Sequence, residues 1–125
     1  MPRTLLIVED VEACAEALEI VVSAMGVEVV TVGSGEEAWR VLDGADRVGA
    51  IVTDLEMRGM DGYELIERVR AHPRHREAPI VVITGSADPE APAKAHRLGA
   101  DAFFSKPYSP VEVRERLEQL LNETA

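Results

Sequence analysis

Five short apolar runs punctuate the chain, and a stretch of helical periodicity follows each one. The runs are Leu5-Leu6-Ile7-Val8, Val27 to Val32, Ala50-Ile51-Val52-Thr53, Pro79-Ile80-Val81-Val82-Ile83 and Ala102-Phe103-Phe104-Ser105. Short runs rich in β-branched residues and bounded by turn signals predict strands. Leu5 to Val8 is apolar without alternation, as a strand buried on both faces should be. Phe103 and Phe104 alternate, so one of them is expected to face the core.

The intervening segments carry helix signals. Leu18, Val21, Val22 and Met25 stand at i, i+3, i+4 and i+7, and Gly26 stops that helix. Ser34-Gly35-Glu36-Glu37 is a capping box ahead of Ala38, Val41 and Leu42, and Gly44 follows. Asp61 is placed to cap a third helix with the stripe Leu65, Ile66 and Val69. Asp88-Pro89 predicts the N-cap and first position of a fourth helix, closed by Gly99. That helix has little beyond alanine and Leu98 to bury, so it should be the most loosely anchored. Ser109-Pro110-Val111-Glu112 opens a fifth helix, which carries Val113, Leu117, Leu120 and Leu121 on one face. Residues 70–77 are polar, basic and broken by Pro73, which predicts a solvated loop. His72, His75 and His96 are expected in solvent. Cys14 reads as structural and Trp39 as a partly exposed packing residue.

Strict alternation of strand and helix means a parallel sheet covered on both faces, with right-handed crossovers. The pattern does not fix the strand order. It does place all the strands' carboxyl ends on one edge, where open α/β sheets hold their ligands. Four of the five strands end there in a polar side chain: Glu9 and Asp10, Asp54, Thr84, and Lys106. Carboxylates about 4 Å apart repel by about 4 kcal/mol at an effective dielectric of 20. One would take up a proton unless a cation intervened. Hard oxygen ligands with room for water and phosphate fit Mg²⁺, with Mn²⁺ as the alternative. No His or Cys stands at these ends, which argues against Zn²⁺. With the charge neutralised, Asp54 could attack phosphorus to give an aspartyl phosphate, and a lysine and a hydroxyl could hold the phosphoryl oxygens.

Composition narrows the classes. The chain has 125 residues, which fits one domain, expected over 1–125. A 4% aromatic content within a 46% hydrophobic chain requires an aliphatic core. The net charge of −10 argues against binding nucleic acid or an anionic membrane and favours cationic partners or a metal. One cysteine allows no internal disulfide, so a reducing, cytoplasmic setting is the default. No run reaches transmembrane or signal-peptide length.

The motifs Val8-Glu9-Asp10, Asp54-Leu55-Glu56-Met57 with Met60-Asp61-Gly62, Ile83-Thr84-Gly85, and Gly99-Ala100-Asp101 leading to Lys106-Pro107 follow one another on these strands. In that order they resemble the receiver domain of the bacterial response-regulator family over essentially the whole chain. The resemblance implies a flavodoxin-like, doubly wound α/β fold: a five-stranded parallel sheet of order 2-1-3-4-5 with five helices. It implies Asp54 as phosphoacceptor and Asp10 as a direct Mg²⁺ ligand. Glu9 would be a ligand through water, and the Glu56 backbone carbonyl a further one. Thr84 and Lys106 would contact the phosphoryl group. Thr84 and Phe103 take switch positions, Glu56 and Ser86 flank the phosphate where hydrolysis is tuned, and Lys106-Pro107 is expected to be cis.

The implied partners are a histidine kinase or histidine phosphotransfer protein and a downstream protein target, with a phosphorylation-dependent dimer as a further state. The domain would act only on itself, by phosphorylation and slow hydrolysis, as part of a two-component system or phosphorelay. The chain ends after its fifth helix, which leaves a stand-alone regulator and a domain of a longer protein both open. A non-phosphorylated pseudo-receiver and an aspartyl-phosphate phosphohydrolase are the competing classes. The second usually has an aspartate where Glu56 stands. Four positions depart from the family pattern. Glu9 replaces an aspartate, Arg58 a proline that would stiffen the loop after Asp54, and Gly85 an alanine. Phe103 lacks the hydroxyl that a tyrosine would carry.

Overall fold

The five apolar runs form β1 (Thr4–Val8), β2 (Glu28–Val32), β3 (Ala50–Thr53), β4 (Ile80–Thr84) and β5 (Ala102–Ser105). A computed structural model describes residues 3–45 and 47–123, so the expected domain bounds of 1–125 run past the described residues at both ends. The strands make one parallel sheet in the order β2-β1-β3-β4-β5. With α1 (Glu12–Val22), α2 (Gly35–Gly44), α3 (Gly62–Ala71), α4 (Ala91–Leu98) and α5 (Pro110–Glu123), this is the flavodoxin-like arrangement. Among the described residues, no helix is long and apolar enough to cross a membrane.

Side chains alternate across each strand, so the sheet builds two cores at once. Leu6 and Val8 of β1 join Leu42, Leu65, Ile66 and Val69 beneath α2 and α3. Leu5 and Ile7 join Leu18, Val22, Leu117 and Leu120 beneath α1 and α5. Phe103 packs on the first cluster and Phe104 on the second, each half-buried. Both rings face a core because both sheet faces are covered; β5 is an edge strand, so neither is buried fully.

The helix ends follow their capping chemistry. Ser34 accepts from the Glu37 N–H at 3.1 Å, Asp61 from the Glu64 N–H at 2.9 Å, and Ser109 from the Glu112 N–H at 3.3 Å. Gly26 takes φ 69° after a 3₁₀ turn at Ser23–Met25. Helix α4 starts later than Asp88-Pro89 predicts. Its N-cap is Glu90, and the Asp88 side chain instead accepts from the Glu90 N–H at 2.9 Å in the preceding turn. Pro92 explains the shift. Starting at Pro89 would put Pro92 at the fourth helical position, whose N–H must bond; starting at Ala91 puts it where no N–H is needed. Only Ala91 and Ala95 of α4 are buried, in keeping with weak anchoring.

The segment 70–77 is not the solvated loop that its composition suggests. His72 and His75 are 6% and 1% exposed, whereas His96 does lie in solvent. Helix α2 has no basic residue in its last turn, and its orphan carbonyls draw this segment in. His75 Nε2 bonds Leu42 O at 2.7 Å, and Arg74 donates to Asp43 O at 2.7 Å and Ala45 O at 3.2 Å. The His72 ring meets Trp39 edge-on, with centroids 5.4 Å apart.

Arg70 ties the far end of the sheet. Its guanidinium donates to Gly99 O at 2.7 Å and 3.1 Å, Arg76 O at 2.9 Å, Ala78 O at 2.7 Å and Asp101 Oδ2 at 3.0 Å. Gly99 holds φ 121°, and a Cβ there would stand 2.7 Å from Arg70 Nε. Gly99→Ala is therefore expected to destabilise the fold by about 1–3 kcal/mol. Gly85→Ala, whose Cβ would meet nothing within 4 Å, should be neutral or stabilising by up to about 1 kcal/mol. Urea unfolding of both variants beside the wild type checks the contrast.

Candidate functional site

The sheet ladder runs one residue past the strands at the carboxyl edge. Glu9 N–H donates to Val32 O at 3.0 Å, Asp54 N–H to Val8 O at 3.1 Å, and Lys106 N–H to Thr84 O at 2.8 Å. Val8 pairs with Thr53 in register, so Glu9 and Asp54 emerge side by side from β1 and β3. Lys106 follows β5, and the Lys106-Pro107 peptide is cis.

The three side chains meet at one ammonium. Lys106 Nζ donates to Glu9 Oε1 at 2.6 Å and to Asp54 Oδ2 at 3.0 Å. Glu9 and Asp54 are 3% and 7% exposed, so neither charge can rely on water. Asp54 Oδ1 accepts from the Leu55 N–H at 2.6 Å and the Glu56 N–H at 3.1 Å. Its two oxygens therefore differ: Oδ1 is fixed by backbone, and Oδ2 faces the lysine. Thr84 is wholly buried; its hydroxyl accepts from the Ser86 N–H at 3.2 Å and stands near enough to Asp54 to favour its charged form.

These contacts set the charges. Burial pushes the Asp54 carboxyl up, but the bonds from Thr84, the Glu56 N–H and Lys106 outweigh it and hold the group below the ordinary aspartate value. Burial pushes the Glu9 carboxyl up as well. There the bonds from Lys106 and Val11 do not make up the difference, and its pKa stays raised. For Lys106 burial opposes the charge, yet the Glu9 and Asp54 partners prevail and raise its pKa. The result is an ionised carboxylate with a charged ammonium beside it, the pair that in-line transfer to a carboxylate nucleophile needs.

The structure brings Glu9, Asp54, Thr84 and Lys106 together. Asp10 is next in sequence to Glu9 but exposed. Among the described residues, no three acidic, histidine or cysteine side chains stand together as a ready-made metal cage. The two carboxylates that the structure does bring together, Glu9 and Asp54, offer hard oxygen donors against one lysine, a donor set that suits a divalent cation keeping part of its water. Glu56 is exposed and Ser86 half-buried, while the Phe103 ring packs on the α2 side of the sheet. Two features escape sequence reasoning. Lys106 serves as counter-ion to Glu9 as well as to Asp54, and Glu36 of α2 reaches the loop after Asp54, its Oε2 accepting from the Met60 N–H at 2.9 Å. The capping-box motif accounts for the Glu37 N–H, which donates to Ser34, and carries no signal of the Glu36 contact.

The model of the response regulator receiver domain matches residues 5–118 of this chain. The chain is 32% identical to a chemotaxis protein CheY1 of Helicobacter pylori over 118 residues, covering 94% of this chain and 95% of that one. It superposes on a putative response regulator from Chloroflexus aurantiacus with a TM-score of 0.88 at 36% identity, covering 98% and 99% of the two chains. The receiver domain of a signal transduction histidine kinase from Syntrophus aciditrophicus superposes equally well, with a TM-score of 0.88 at 32% identity, covering 97% and 91%.

Removing Lys106 would strand two buried carboxylates. Lys106→Met is expected to destabilise the fold by about 2–4 kcal/mol. Adding Glu9→Gln should recover at least half of that loss, because it removes one of the two stranded charges. Denaturant unfolding of the single and double variants measures the coupling, and purely additive effects would contradict this account.

Proposed function

Because this chain belongs to the response regulator receiver domain family of two-component signalling, we propose that it accepts a phosphoryl group on Asp54 from a phosphohistidine of a partner protein. The observation that carries this reading is the asymmetric setting of Asp54, with Oδ1 held by two backbone N–H groups and Oδ2 at 3.0 Å from Lys106 Nζ. Oδ2 attacks phosphorus, and the bond from phosphorus to the partner's imidazole nitrogen breaks. The electron pair leaves with the imidazole. The Lys106 ammonium and the Thr84 hydroxyl then hold the transferred oxygens.

Glu9, Asp10, Asp54 and the Glu56 carbonyl would hold Mg²⁺, or Mn²⁺ in its place. The bound ion would offset the charge that gathers where carboxylate and phosphate meet. Acyl phosphate hydrolysis would be slow and tuned by the flanking side chains Glu56 and Ser86. The domain thereby acts on itself and turns over no separate metabolite.

The output follows from what is held loosely. Drawing Thr84 toward the phosphate moves the β4–α4 loop, where Gly85 has open space and α4 is anchored by two buried alanines. The half-buried Phe103 of edge strand β5 can follow. The surface of α4, β5 and α5 then presents a different face to a downstream protein, or to a second phosphorylated copy. A histidine kinase or a histidine phosphotransfer protein is the donor that fits this chemistry.

With Mg²⁺ and acetyl phosphate, the wild-type chain should gain the mass of one phosphoryl group and Asp54→Asn should gain none. Intact mass is the readout of choice, because Trp39 stands against His72 and Arg68 rather than the site. No gain in the wild type, or an equal gain in Asp54→Asn, would overturn the reading. Lys106→Met should slow uptake by about a hundredfold or more. In the phosphorylated chain, Glu56→Asn should change the dephosphorylation rate; an unchanged rate would remove the tuning role from Glu56.

A further inference from the structure

The loop between β3 and α3 supplies both backbone donors to Asp54 and the Glu56 carbonyl, so whatever fixes this loop fixes the site. Its base is closed by the Gly62 N–H, which donates to Leu55 O at 3.0 Å. Gly62 passes so near the Asp54 carbonyl that a Cβ would overlap it. The Met60 side chain is buried in the core under α2 and α3. Between these points Arg58 is exposed, and as a residue other than proline it leaves its own φ free.

The restraint on the outer half of the loop comes from α2. Glu36 Oε2 accepts from the Met60 N–H at 2.9 Å, across 24 residues of sequence. The same carboxylate lies over Gly59, whose φ is 72° and whose added Cβ would overlap it. Gly35, one residue earlier, makes the approach practicable. A Cβ there would stand 2.7 Å from Met60 O and 2.8 Å from Met60 Cβ. A charge at the start of a helix can be simply a partner for the helix dipole. For Glu36 the bond to Met60 is the largest influence holding its carboxyl below the ordinary glutamate value, ahead of its own N–H and of Arg40 and Arg68.

We propose that Glu36 is a positioning residue for the phosphoacceptor loop: by holding the Met60 N–H it places the Glu56 carbonyl relative to Asp54 and so sets the affinity of the site for a divalent cation. The inference deepens the proposed function and rests on its assignment of the Glu56 carbonyl as a ligand. Glu36 touches neither phosphate nor cation. It does for the loop what a stiffer residue at position 58 would otherwise do.

The test compares Glu36→Ala and Glu36→Gln with the wild type in the unphosphorylated protein, by amide hydrogen exchange at Met60 and by NMR titration with Mg²⁺. Glu36→Ala should lose about tenfold in Met60 protection and bind Mg²⁺ about fivefold more weakly, the scale of one lost hydrogen bond. Glu36→Gln keeps a carbonyl acceptor and should restore both to within about twofold of wild type. A loss of charge alone would leave it as weak as Glu36→Ala. Protection of Leu6 and Val82 in the central strands should not change in either variant, which separates a local effect from a general loss of stability.

Unchanged Mg²⁺ affinity in Glu36→Ala, or no rescue by Glu36→Gln, would overturn the proposal. A wild-type chain that binds no Mg²⁺ would instead overturn the ligand set of the proposed function. The Met60 exchange data would then decide alone whether Glu36 holds the loop, and unchanged protection in Glu36→Ala would overturn that too.

Discussion

One ammonium holds the carboxyl edge of the sheet together. Lys106 contacts two carboxylates at 2.6 and 3.0 Å, and both are nearly sealed from water. At an effective dielectric of 20, each contact is worth about 6 kcal/mol, while burying each ion costs several kcal/mol after relaxation. One lysine facing one carboxylate would do little better than break even. Shared between two, it also offsets their mutual repulsion. That arrangement bears on the proposed function: with Thr84 and the Glu56 N–H, Lys106 helps to hold the Asp54 carboxyl below the ordinary aspartate value, and under that proposal the same ammonium would meet the phosphoryl oxygens.

The geometry of this triad is imposed by the sheet. Glu9 and Asp54 are 45 positions apart in the chain, yet adjacent because β1 and β3 are parallel neighbours with Val8 opposite Thr53. Lys106 comes from β5, two strands further along, and its length spans the gap. Around these rigid ends the loops are braced unequally. The β3–α3 loop is fixed at its base by Gly62, in its core by Met60 and from α2 by Glu36. The β4–α4 loop has open space at Gly85 and leads to a helix with two buried alanines. The β3–α3 side is thus the braced one and the β4–α4 side the compliant one, the asymmetry that the proposed switch would use to turn a local change of charge into movement of a distant face.

Polar composition was the least reliable guide. Residues 70–77 look like a solvated loop, yet His72 and His75 are buried and Arg70 and Arg74 spend their donors on backbone carbonyls. The cause is α2, which ends without a basic residue of its own and leaves carbonyls for a neighbouring segment to satisfy. No local pattern announces this, because donor and acceptor belong to different elements some 30 positions apart. The start of α4 was misplaced for a different reason. Asp88-Pro89 is a good cap signal, but Pro92 forbids the register that it implies.

The sequence by itself determined the elements, their succession along the chain and the two-sided burial of the sheet. Those features depend on side-chain period and on turn and cap chemistry, all of which act within a few residues. It also determined that Glu9, Asp10, Asp54, Thr84 and Lys106 lie toward one edge, since parallel strands put all their carboxyl ends there. Tertiary structure alone decided which of them touch. Glu9 turned inward to Lys106 while Asp10 stayed exposed, and Glu36, a member of the α2 capping box, reached across to Met60. Such choices depend on burial and on distances of about 3 Å between residues far apart in the chain. At that range a hydrogen bond is made or lost by one rotamer, and the one-dimensional pattern carries no record of it.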